Sequence, residues 1–217
     1  MDVAIAGGHG QIALRLAPLL RARGDTVRAL VRNPDHVAEV TAAGAEAIVC
    51  DLEANDADVA AAIIGADAVV FAAGAGPGSG AARKRTMDQE GAVRLIEAAL
   101  QVQTARYVMI SAMGAANPRA ADGDFRAYLE AKAAADDALR ASGLAYTIVR
   151  PGRLTDNTGS GRIAVSPQLA RSGEIPRDDV AATVAAVLGE PRTAGVTFDL
   201  LTGDAPIADA IAALADD

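Results

Sequence analysis

The opening Val3-Ala4-Ile5-Ala6-Gly7-Gly8-His9-Gly10-Gln11-Ile12-Ala13 constrains this chain more than any other stretch, because an apolar run breaks into glycines and resumes with helical spacing. It reads as a buried strand, a tight turn and a helix N-terminus. Backbone positions without side chains let the main chain approach a pyrophosphate, and the free N–H groups of the following helix point at it. The spacing Gly7-x-x-Gly10-x-x-Ala13, with Gly8 in addition, ends on a small residue that lets helix pack on strand. A turn that binds nothing would show the same glycines. A second strand beginning near Thr26 supplies the context of a dinucleotide site, with Gly7, Gly8, His9, Gly10, Gln11 and Ile12 in the turn. His9 reads as solvent-facing or phosphate-adjacent, with no chemical role.

Gln11 to Arg23 carries a helical stripe of Ile12, Leu16, Leu19 and Leu20 and stops at Gly24. Thr26 to Val31 is the second strand, and Pro34 starts the next helix. In a dinucleotide fold the tip of this strand faces the adenosine ribose, where a carboxylate would hold the 2′-hydroxyl of NAD. Here the residue is Arg32, a planar donor fork suited to the 2′-phosphate of NADP. A solvated surface arginine is the alternative, and Arg28 would reinforce the same region.

Ala45 to Cys50 and Asp67 to Ala72 read as the third and fourth strands. Asp51 would accept the adenine amino group, with Leu52 beside it. The run Gly74-Ala75-Gly76-Pro77-Gly78-Ser79-Gly80 is either a flexible linker or, because it follows a buried strand, a backbone segment lying with Ala73 against the cofactor, with a substrate flap as a further reading of Gly76 to Gly80. Ala82 to Leu100 reads as one long helix with Val93, Ile96 and Leu100 on its apolar side, and Tyr107 to Ile110 as the fifth strand. Ligands of open parallel sheets bind beyond the carboxyl ends of the strands, which places Ser111 to meet a substrate.

Tyr128 and Lys132 lie four residues apart in a helix running from about Asp124 to Ser142, and so share one face. An ammonium beside a phenol favours the phenolate, which should draw Tyr128 down from its ordinary value of about 10. The chance alternative is a surface tyrosine and lysine. Ala145 to Val149 is the sixth strand, and Arg150-Pro151-Gly152 closes it toward the nicotinamide end. Residues 153–176 read as irregular, with a short strand at Ile163 to Val165, and suggest a small substrate cap. Helices from Asp178 to Leu188 and Ile207 to Leu214 flank a last strand from Val196 to Leu201.

With 51% hydrophobic but only 3% aromatic residues, the core must be built from Ala, Val, Leu and Ile, as suits parallel strands covered by helices. The 217 residues fit one domain, 1–217, of α/β class: a Rossmann-type doubly wound parallel sheet with a small C-terminal cap inserted at 153–176. A formal charge of −8 argues against nucleic acid as a partner. Cys50 is the one cysteine and reads as a buried small hydrophobe, so neither a disulfide framework nor a multi-cysteine metal site is available. A first strand near residue 2 leaves no room for a signal segment, and no apolar run approaches the ~20 residues of a membrane span. A cytoplasmic protein acting on a small molecule is the expectation; oligomeric state is open.

Together the glycine turn, Arg32-Asn33-Pro34, Ser111, Tyr128-x-x-x-Lys132 and Val149-Arg150-Pro151-Gly152 resemble the short-chain dehydrogenase/reductase superfamily over essentially the whole chain. The pattern is most similar to its atypical, extended-type branch of NAD(P)H-binding proteins, related to flavin and biliverdin reductases, NmrA-like sensors and sugar-nucleotide epimerases. The resemblance implies that the turn meets the pyrophosphate, Arg32 the 2′-phosphate, and Asp51 and Leu52 the adenine. It further implies that Tyr128 passes a proton, Lys132 lowers its pKa and binds the nicotinamide ribose, and Ser111 positions the substrate oxygen. The chain departs from the family in having no identifiable asparagine for the fourth catalytic position, and in a cap too small for a sugar-nucleotide pocket. The expected activity is an NADP(H)-dependent oxidoreductase, with NADP(H) preferred over NAD(H), acting on a small carbonyl, quinone or flavin-like acceptor. A cofactor-sensing regulator and a sugar-nucleotide epimerase or dehydratase are the alternatives.

Overall fold

The computed structural model describes residues 1–54, 58–76 and 78–215. Its first strand, β1 (Asp2–Ala6), is buried from Val3 onward and leads through the glycine turn into α1 (Gln11–Ala22). The strand β2 (Thr26–Val31) and a short helix α2 (Val37–Ala42) follow, then β3 (Glu46–Val49), α3 (Val59–Ile63) and β4 (Ala68–Phe71). Next come α4 (Gly80–Arg83), a π-helical run Lys84–Gly91, α5 (Ala92–Gln101), β5 (Arg106–Ile110), α6 (Gly123–Ala141) and β6 (Tyr146–Pro151). The chain closes with β7 (Arg153–Thr155), β8 (Arg162–Ser166), β9 (Glu174–Pro176), α7 (Arg177–Gly189), β10 (Val196–Thr202), β11 (Ala205–Pro206) and α8 (Ile207–Leu214).

Among the described residues one sheet has nine strands in the order β11-β8-β10-β6-β5-β4-β1-β2-β3. Seven of these run parallel, and β8 and β11 add an antiparallel edge. Strand β1 pairs with both β2 and β4, setting Val3 against Val27 on one side and Ile5 against Val70 on the other. The strand order reverses there, so a crevice opens above the carboxyl ends of β1 and β4. Aliphatic side chains fill both faces, as the composition requires. Leu16 and Leu20 of α1 pack with Val180 and Val184 of α7 on one face, while Leu95, Leu139 and Ile63 cover the other.

Three sequence readings change. The long helix is interrupted, because Lys84–Gly91 widens to π-helical turns. Gly91 is buried, and an added Cβ would stand in ordinary contact with Met87 Sδ at 3.4 Å and Leu52 Cβ at 3.6 Å. Such widened turns re-aim side chains and are frequent at functional sites. This one buries Met87 and Asp88, whereas Leu100 is exposed rather than part of the apolar face.

The segment 153–176 is more ordered than its composition suggests: β7 and β9 pair in parallel, and β8 enters the main sheet. Its turn is held by the first residues of α7, since Asp179 accepts from Ser160 N at 3.0 Å and Gly161 N at 2.8 Å, and Asp178 from Gly159 N at 3.1 Å. Cys50, finally, is half-buried, and burial pushes its thiol up.

Leu16 is fully buried between α1 and α7. Leu16→Ala should cost about 2–5 kcal/mol of unfolding free energy in denaturant titration, the usual scale for a buried leucine.

Candidate cofactor and active site

Two cavities lie end to end over the carboxyl ends of the strands. One, of about 260 Å³, is lined by Gly7, Gly8, His9, Gly10, Arg32, Asp51 and Leu52. The other, of about 1150 Å³, is lined by Ile12, Ser111, Tyr128, Lys132, Pro151 and Gly152. Ala72, Ala73, Gly74 and Ala75 line both, so this loop forms the shared wall. The predicted residues therefore meet along one continuous crevice. Gln11 is the exception: it lines neither cavity, and its side chain and carbonyl accept from Arg15.

The glycine turn fits a pyrophosphate. Gly10 caps α1 without a side-chain hydrogen bond, and the first turn carries no acidic residue, which leaves the positive helix end for an anion. Gly7 adopts φ +80°, and a Cβ there would lie 2.6 Å from Ala73 Cα. A Cβ on Gly8 would lie 2.5 Å from that of Ala29, which explains the additional glycine. At the far end, a Cβ on Gly152 would lie 2.5 Å from Gly173 O, so this glycine lets the cap backbone close over the strand end. His9 stacks on His36 with ring centroids 3.6 Å apart and bonds the Glu39 carboxylate at 2.7 Å, away from any acid-base role.

Arg32 stands at the expected mouth, half-exposed, 3.5 Å from the Glu53 carboxylate. Glu53 is shared: Arg83 approaches at 3.1 Å and the Thr86 hydroxyl donates at 2.6 Å. Burial raises the Glu53 pKa, but the Thr86 hydroxyl, Arg83 and Arg32 outweigh it and hold the carboxylate below its ordinary range. Arg28 does not join this group. Its guanidinium bonds Asp2 at 2.9 Å and Ile64 O at 3.0 Å, drawn to the acid at the opposite end of the sheet. Asp51 caps its own turn by accepting from Glu53 N at 2.9 Å.

The expectation of an acidified tyrosine is overturned. Burial raises the pKa of Tyr128; Lys132 lowers it, but Asp88 and Asp136 raise it again, and the phenol ends above its ordinary value. The lysine is already engaged: 3% exposed, its Nζ lies 3.2 Å from Asp88 Oδ1 and donates to Ile110 O at 3.2 Å and Ala73 O at 3.5 Å. Burial opposes the Lys132 charge, but Tyr128, Asp88 and Asp136 outweigh it and raise its pKa.

Ser111 Oγ is buried without a hydrogen-bond partner, as is Asp136 Oδ1. The serine hydroxyl lies near enough to the Asp136 carboxylate to favour its charged form without closing a hydrogen bond. Arg150 holds the other Asp136 oxygen at 2.8–2.9 Å, yet burial dominates and the carboxyl is raised. Sequence reading missed Glu53, Arg83, Asp88 and Asp136, because each gains its role from a partner distant in the chain or from the π-helical turn. Phe125, 57% exposed, stacks on Tyr128 at 6.0 Å over the cavity mouth.

With this geometry in view, comparison with known proteins is decisive. Residues 7–191 match the family model described as NAD(P)H-binding. The chain belongs to that family. Over 97% of its length it is 42% identical to a Bacillus subtilis protein named "uncharacterized sugar epimerase YhfK", covering 99% of that relative. A solved structure from Bacillus halodurans, named "Putative NAD-dependent epimerase/dehydratase", is 38% identical with a TM-score of 0.94, covering 98% of this chain and 99% of that one. The structure named the oxidoreductase ylbE of Lactococcus lactis is 25% identical with a TM-score of 0.87, covering 100% and 98%. The doubly wound, oxidoreductase-like fold of this NAD(P)H-binding chain is thus established. Among the described residues no helix is long and apolar enough to cross a membrane.

Gly7→Ala should force a side chain into both the positive-φ position and the Ala73 backbone. Strain of about 1–3 kcal/mol is usual there. Fluorescence titration should therefore show nicotinamide cofactor binding weakened by roughly tenfold or more.

Proposed function

We propose that the protein is an NADP(H)-dependent reductase of a small carbonyl, quinone or flavin-like acceptor. The observation that carries this reading is the unpartnered Ser111 hydroxyl, which lines one cavity with Tyr128 and Lys132 beside the glycine turn. Bound there, the nicotinamide supplies a hydride to the acceptor. Pro151 and Gly152 bound the reacting end, while the Ser111 O–H donates to the acceptor oxygen and fixes its position. Tyr128 gives its phenolic proton to that oxygen as the O–H bond breaks, and the phenolate regains a proton from solvent. The raised pKa suits this direction of transfer, since the phenol stays protonated and ready to donate. Lys132 draws the phenol toward ionisation, and the buried Asp88 beside it opposes that pull.

At the other end Arg32 reads the 2′-phosphate, exchanging its contact with Glu53 for the ligand's charge. The family match supports a nicotinamide cofactor; the preference for NADP(H) rests on Arg32 and its neighbour Arg83. An epimerase or dehydratase is the second reading. Two relatives carry such names, and the 1150 Å³ cavity is roomier than the short cap suggests. Such an enzyme would recycle its cofactor without net consumption.

Tyr128→Phe should lower turnover on a carbonyl by roughly 10² or more with cofactor affinity kept, the usual scale of general acid catalysis. Unchanged turnover would move the chemistry to hydride transfer without a tyrosine acid. The wild-type rate should hold through neutral pH and fall only above the ordinary tyrosine value of about 10, because a raised phenol loses its proton late. Arg32→Ala should weaken NADPH by about 1–3 kcal/mol, the scale of a charge-assisted hydrogen bond, and leave NADH nearly unchanged. Equal losses for both cofactors would remove Arg32 from the 2′-phosphate.

A further inference from the structure

Asp88 is the fully buried carboxylate that no sequence motif announced. The π-helical run Lys84–Gly91 turns it inward from a polar stretch. One oxygen lies 3.2 Å from Lys132 Nζ, and the other accepts from Ala75 N at 3.2 Å. Lys132 in turn donates to Ala73 O at 3.5 Å. One ion pair therefore grips the loop 73–75 at two points, and that loop is the wall shared by both cavities. The packing is close: a Cβ on Gly74 would stand 3.3 Å from Asp88 Oδ1.

We propose that Asp88 is the positioning residue of this site: it locks the Lys132 ammonium and the shared loop in place, and its own buried charge keeps the proton on Tyr128. The consequence for catalysis rests on the reductase reading, whereas the electrostatic role does not. Charged groups approach Tyr128 from several elements. The π-helical run contributes Asp88 and Lys84, the latter paired with Asp124 of α6 at 3.8 Å. Helix α6 contributes Lys132 and Asp136, and Asp136 is paired with Arg150 of β6 at 2.8 Å. Asp199 of β10 and Arg153, Arg171 and Arg177 of the cap side line the same cavity. Within this set, Lys132 and Asp88 exert the two largest electrostatic effects on the phenol, and they oppose each other. Removing the carboxylate leaves the ammonium unopposed and favours phenolate; removing the ammonium does the reverse.

Titration of the tyrosines by ultraviolet difference absorbance tests this without turnover. Tyr107 and Tyr146 are the other two tyrosines, so the transition lost in Tyr128→Phe identifies Tyr128. Asp88→Asn should bring its midpoint down by about one pH unit or more, the scale of a close charge. Lys132→Met should raise it, and Asp88→Asn with Lys132→Met should fall between the two. Retention of the wild-type midpoint in folded Asp88→Asn, or a different ordering, would overturn the proposal. If Asp88→Asn alone fails to fold by circular dichroism, the other two variants decide: the double variant must titrate below Lys132→Met, and equal midpoints would overturn it. Failure of every acceptor to oxidise NADPH would instead refute the reductase reading and leave this titration unaffected.

Discussion

The approach of the turn after β1 to the loop after β4 is the constraint on which the rest of the site depends. Gly7 packs so tightly beneath Ala73 that no side chain fits, and the loop above it is gripped from the side by Asp88 and Lys132. Because β1 lies between β2 and β4, this contact occurs at the switch point of the sheet, where a parallel architecture opens its ligand crevice. The glycine turn and the tyrosine face are thereby parts of one mechanical unit. A single short loop forms the boundary between the cavity at the arginine tip and the cavity at Ser111 and Tyr128.

Burial decides the electrostatics of the reacting end. A lysine near a phenol in water would favour phenolate, but here the ammonium already faces a carboxylate at 3.2 Å, both almost wholly out of solvent. Removing one member of such a buried pair commonly costs about 3–5 kcal/mol, so Lys132 is held in place by its carboxylate partner. A second buried pair, Asp136 with Arg150, lies behind Ser111 and keeps another negative charge near the phenol. Both arrangements keep Tyr128 a proton donor.

The sheet was largely legible in the sequence, since aliphatic runs closed by glycine or proline are local signals. Thr26 to Val31 and Ile207 to Leu214 form their elements with those bounds. The close approach at Gly7, the glycine cap of α1 at Gly10 and the shared cavity of Ser111, Tyr128 and Lys132 follow from the same local logic. What was hidden depends on partners far along the chain. Arg28 is drawn to Asp2, Arg32 meets Glu53, and the order in residues 153–176 comes from Asp178 and Asp179 at the start of α7. Asp88 was hidden most deeply, because a regular helix through Lys84–Gly91 would have given it a different direction.

The most direct measurement of the central claim is a fluorescence titration with NADPH and NADH, followed by NADPH oxidation against carbonyl, quinone and flavin acceptors. A reductase built on this crevice binds NADPH more tightly than NADH and transfers its hydride to at least one acceptor class. Tight binding with no oxidation across the panel would contradict that claim and favour a cofactor sensor or an epimerase. Absence of binding would contradict the reading of the glycine turn itself.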